Sequence, residues 1–113
     1  MKLENITDCN KFVGILDSIE RDGLKVHGIK SDINEVASVY FSRKEYSLGV
    51  WLSKAAITIH EYAFNKLPHR VFPLNQIENV EMTETGFQIL FKPGYEYKHY
   101  TINLDHIELS TLV

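Results

Sequence analysis

Apolar and polar residues alternate with a period of two through much of this chain, most sharply between His69 and Leu104. Phe87, Ile89 and Phe91 alternate with Gln88, Leu90 and Lys92, and Tyr100, Ile102 and Leu104 alternate with Thr101 and Asn103. A period of two puts each apolar set on one face of a strand. Lys92-Pro93-Gly94-Tyr95 between them has Pro and Gly where a type II turn needs them. Upstream, Val36–Ser42 and Tyr46–Ser53 form a second pair of strands, with Leu48, Val50 and Leu52 on one face and Trp51 on the other. A large aromatic opposite an apolar set predicts a strand covered on both sides. Ala55–Tyr62 places Ile57 and Ile59 inward and Thr58 and His60 outward; Ser53-Lys54 fits either a turn or a kink in one long strand.

Only residues 8–21 break into a helical period. Cys9, Phe12, Leu16 and Ile19, with Ile15 beside them, follow the i, i+3, i+4, i+7 spacing of a buried stripe. Thr7 or Asp8 is placed to cap the start, and Gly23 to accept the left-handed turn at the end. Short strands are expected at Leu24–His27 and at His69–Leu74, where Pro73 marks an edge or an end. Ile77 and Val80 stand three apart, a spacing that fits one helical turn in residues 75–79. His106–Val113 alternates again through Ile107 and Leu109. The sum is an α+β domain, residues 1–113, with one N-terminal helix packed on an antiparallel β-sandwich or strongly bent sheet of about seven strands.

Composition narrows the function more than it defines it. At 113 residues, 44% hydrophobic and 24% charged, the chain is of single-domain size and globular composition. A net charge of -3 argues against nucleic acid as a general partner. The lone Cys9 excludes an internal disulfide, and its place at the head of the apolar stripe makes it a packing residue. The first ten residues lack the apolar core of a signal peptide, and no window is apolar enough to span a membrane, so a cytoplasmic location is expected.

No motif of catalysis, phosphate binding or metal coordination emerges. Among His27, His60, His69, His99 and His106 the closest pair in sequence is seven residues apart, unlike the close spacing of zinc ligands. The expectation is no enzyme, no cofactor and no metal. What remains is charge and aromatic patterning. Arg43, Lys44, Lys54, Lys66 and Arg70 against Glu45 and Glu61 make residues 36–74 net +3. Lys92 and Lys98 against Glu78, Glu81, Glu84, Glu96, Asp105 and Glu108 make residues 75–113 net -4.

Two features can serve as a contact surface for another protein. The triplet Glu78, Glu81 and Glu84 offers an acidic patch for a basic partner. Tyr95, Tyr97 and His99, read as the outward set of the strand carrying Tyr100, Ile102 and Leu104, offer interface-type side chains. An edge strand near Pro73 also leaves room for pairing with a second copy.

Two resemblances give these features a context. The segment AITIHEYAFNKLPHRVFPLNQIENVEMTETGFQILF, with Ala56–Ile59, Pro73-Leu74, Ile77, Val80 and Gly86 in place, resembles the middle of pleckstrin-homology-like modules. That resemblance implies lipid or peptide binding through Lys54, Lys66 and Arg70. It departs from those modules at the end, where DHIELSTLV reads as a strand instead of a closing helix. Over most of its length, through Phe12–Ile19, Tyr46–Leu52 with Trp51, Gly86–Phe91 and Ile102–Ser110, the chain also resembles small bacterial immunity proteins, including those of contact-dependent growth inhibition. This second resemblance implies a non-enzymatic inhibitor that binds a toxin domain, often a basic nuclease, with Glu78, Glu81, Glu84, Tyr95, Tyr97 and His99 as the contact.

Overall fold

The structure, a computed structural model, describes residues 1–31, 36–44, 46–62 and 69–105. It is an α+β fold in which one helix, α1 (Ile6–Asp17), packs on two antiparallel sheets that do not close into a barrel. The first sheet is a five-stranded meander in sequence order: β1 (Lys25–Ile29), β2 (Val36–Arg43), β3 (Tyr46–Ser53), β4 (Ala56–Tyr62) and β5 (His69–Pro73). A short 3-10 turn, Leu74–Gln76, leads to the second sheet, β6 (Ile77–Met82), β7 (Gly86–Phe91) and β8 (His99–Asn103), also in sequence order. The described residues thus hold eight strands, in keeping with the alternation.

One core lies between the layers. Val39, Phe41, Leu48, Val50, Leu52, Ile57 and Ile59 cover the inner face of the first sheet, and Phe87, Ile89, Phe91 and Ile102 that of the second. The helix packs over β1, β2 and β3, and its Phe12 meets Phe87 edge-on at 5.6 Å. At the other end Phe72 of β5 closes the sandwich against Phe91 at 5.3 Å and Tyr100 at 5.0 Å.

Several local expectations change for identifiable reasons. The helix starts two residues early because the Asn5 side chain accepts the Asp8 N–H at 2.9 Å and caps it, the role assigned to Thr7 or Asp8. It ends at Asp17, and its buried stripe is Cys9, Phe12, Val13 and Leu16, which leaves Ile15 exposed. Gly23 belongs to the turn before β1 and not to the helix end. Ser53 makes the β3–β4 connection a turn, its Oγ accepting the Ala55 and Ala56 N–H groups at 3.2 Å each. The helical turn falls on Leu74–Gln76, and the spacing of Ile77 and Val80 arises from a β-bulge between Ile77 and Asn79. The expected strand at His106–Val113 lies outside the described residues.

The Pro93–Gly94 turn forms with Gly94 at φ +95. The loop then runs on to Lys98, whose carbonyl accepts the Phe91 N–H at 3.0 Å. Tyr95 and Tyr97 therefore lie in the β7–β8 loop, not on a strand, and only His99 begins β8. The largest departure concerns Trp51. Its face of the sheet is uncovered among the described residues, and Trp51 is 42% exposed.

Candidate functional site

The uncovered face is built by register. Two neighbouring rows cross all five strands of the first sheet: His27, Tyr40, Gly49, His60 and His69 in one, and Ile29, Ser38, Trp51, Thr58 and Val71 in the next. A pleated strand sends alternate side chains to opposite faces, so burying Val50, Ile59 and their neighbours forces these rows outward. Ile29, Val36, Trp51 and Val71 on this face are all at least 42% exposed. Lys25 is its only formally charged residue among the described strand positions. An apolar, nearly uncharged sheet face in contact with solvent is unusual for a surface layer.

The centre of this face is a cluster of side chains in mutual contact. Trp51 donates its indole N–H to the Tyr40 hydroxyl at 3.0 Å, and its ring lies 4.5 Å from the His60 imidazole. Gly49 makes room for that arrangement: a Cβ there would come within 3.2 Å of the Tyr40 ring. His60 in turn lies 5.7 Å from His69, centroid to centroid, on the adjacent strand. Both His60 ring nitrogens are shielded from solvent without a hydrogen-bond partner among the described residues. Burial, reinforced by the nearby His69, lowers the pKa of His60, so the imidazole is neutral near pH 7. The face consequently stays uncharged at its middle.

The residues singled out in the sequence occupy the other sheet. Glu78, Glu81 and Glu84 are all exposed on or beside the edge strand β6. Glu78 pairs with Lys2 at 3.8 Å, and Glu81 accepts from the Asn79 and Gln88 side-chain amides at 3.2 and 3.4 Å. Glu84 sits in the β6–β7 turn, where its backbone carbonyl accepts from Arg21. His99 shares the outer face of this sheet with Glu81 but lies on the opposite edge strand. Tyr97 turns its ring to Phe72 at 6.0 Å and Phe91 at 5.8 Å, while Tyr95 is 44% exposed. The carboxylates and aromatics are therefore spread across a sheet and a loop, without a common centre.

The basic trio is dispersed as well. Lys66 lies outside the described residues, and Lys54 sits in the β3–β4 turn. Arg70, level with Ile59 on the inner face, stacks over Tyr100 at 5.6 Å. Among the described residues no group of three or more His, Cys, Asp or Glu side chains is placed to hold a metal ion, and no helix is long and apolar enough to cross a membrane.

Sequence reasoning missed the Trp51 face because it depends on layering. The usable signal was a lack of charge at the outward positions of five successive strands, visible only once each register is known. Comparison of the chain with protein-family models, with curated proteins and with solved structures gives no match.

Proposed function

We propose that this protein is a non-enzymatic binding module that docks another protein on the outer face of its five-stranded sheet. In its most concrete form it is an immunity protein that neutralises a toxin domain. The observation that carries the reading is the hydrogen-bonded Trp51–Tyr40 pair packed beside His60, at the middle of an exposed face almost free of charge. Interface centres are depleted in charge and enriched in Trp and Tyr, and side chains already in contact before binding lose less entropy on docking. A membrane headgroup or nucleic acid would call for cations, and among the described strand positions this face offers only Lys25. The exposed Glu81 and Glu84 on the second sheet would steer a basic partner toward contact.

The test is co-expression with the C-terminal domain of the protein encoded directly upstream, scored by growth rescue and co-purification. The expected result is rescue by the native chain and its loss with Trp51→Glu or Val71→Glu. Removal of a central Trp contact weakens such complexes by about 2 kcal/mol or more, roughly thirtyfold in Kd. If those variants bind as the native chain does and charge reversal at Glu78, Glu81 and Glu84 abolishes the complex, the contact is on the second sheet. A harmless neighbour, or one that does not associate, overturns the toxin-neutralising form.

A further inference from the structure

The β7–β8 loop borders a half-open hollow of about 380 Å3, lined by Phe91, Pro93, Tyr95, Tyr97, Lys92 and Lys98. That volume lies at the lower end of the range for small-molecule sites, with room for one aromatic ring and a charged group. The loop is anchored at both ends: Phe91 N–H donates to the Lys98 carbonyl at 3.0 Å, and Lys92 N–H to the Gln76 carbonyl at 2.9 Å. Tyr97 is set against Phe72 and Phe91, giving the cavity a wall continuous with the core. Tyr95 makes no ring contact or hydrogen bond among the described residues and is 44% exposed.

The charges at this cavity run against their surroundings. Lys92 and Lys98 are the only cations in residues 75–113, a segment with six carboxylates, and both line this one hollow. Neither makes an ion pair among the described residues. Lys92 also borders a smaller polar hollow with Glu4 and Glu78, where Lys2 already pairs with Glu78. Glu96, although in the loop, does not line the cavity.

We propose that this loop recognises an aromatic acid, a flat ring bearing a carboxylate or a phosphate. Lys92 and Lys98 meet the anion, and Tyr95 and Tyr97 hold the ring. Two ammonium groups that form no ion pair among the described residues gain charge-assisted hydrogen bonds, and two phenols supply faces for stacking and hydroxyls for further bonds. The inference is independent of the protein-docking face and uses none of its residues.

The test is titration of the full-length chain with phenyl phosphate and with benzoate, following backbone amide shifts by NMR. Saturable shifts confined to residues 91–98 and their neighbours are expected, with phenol and inorganic phosphate each binding at least about tenfold more weakly. Lys92→Gln/Lys98→Gln should weaken phenyl phosphate by about tenfold or more, and Tyr95→Ala should remove the preference for the aromatic acid over inorganic phosphate. Unchanged sheet amides certify each variant's fold; Lys98→Gln alone and Tyr95→Ala, both at exposed positions, carry the test if the double variant misfolds. A phosphotyrosine peptide that binds more tightly than phenyl phosphate makes the ligand a protein side chain, and equal affinity makes it a free small acid. Shifts that do not saturate, or that persist unchanged in the lysine variants, overturn the proposal.

Discussion

At the scale of single residues, His60 carries the clearest physical consequence. Folding shields its imidazole beside Trp51 and His69 and lowers its pKa. A group whose folded pKa is depressed binds its proton more readily in the unfolded chain. Its contribution is therefore complete above the ordinary histidine value near 6.5 and is lost as pH falls below it. Denaturant titrations at pH 7.5 and pH 5 are expected to show a smaller drop in stability for His60→Gln than for the native chain. An equal drop would assign the acid sensitivity to other groups. The outward position of His60 was legible from alternation with Ile57 and Ile59, but its desolvation was not. That depends on Trp51, nine residues away in sequence and on the neighbouring strand.

At the scale of elements, the boundaries follow side-chain bonds more than apolar count. Asn5 begins α1 by accepting the Asp8 N–H, and Asp8 reciprocates by accepting the Glu4 N–H at 3.0 Å. Replacing Asn5 with Ala should cost about 1 kcal/mol, measured as a lower denaturation midpoint with an unchanged slope. At the far end of the same helix, Asp17 accepts the Gly28 N–H at 2.8 Å. That bond covers part of edge strand β1, a place where unpaired amides invite other strands. The strand faces were legible at Leu48, Val50 and Leu52 and at Phe87, Ile89 and Phe91, because alternation is a local property. Tyr95, Tyr97 and His99 also alternate, yet the chain remains a loop to Lys98. There the Phe91–Lys98 and Lys92–Gln76 backbone bonds decide the path. Such bonds leave no mark in a pattern of apolar residues.

At the scale of the whole molecule, the helix and the two sheets share one core. Phe12 joins the helix to the second sheet through Phe87 and is 1% exposed. Phe12→Ala should cost about 3–5 kcal/mol, a large share of the roughly 5–15 kcal/mol that domains of this size possess. Chemical denaturation would then show marginal folding of that variant at 37 °C. The α+β class could be read from one helical period among many alternating ones. Which sheet faces meet could not, since Trp51 carries the same outward signature whether its face is covered or bare.

The order of the strands has a consequence for synthesis. Because β1 to β5 follow one another in space as in sequence, each hairpin can close as soon as its second strand is free. The helix that shelters β1, β2 and β3 has by then already been made. Phe72 has no such shelter until Phe91 and Tyr100 arrive, about 20 to 30 residues later. At ordinary translation rates that interval is about one to six seconds. During it the growing chain displays the inner edge of β5 and the Trp51 face together, two apolar surfaces at once. A folding chaperone would meet this protein in that window, and slower translation across residues 73–100 would lengthen it.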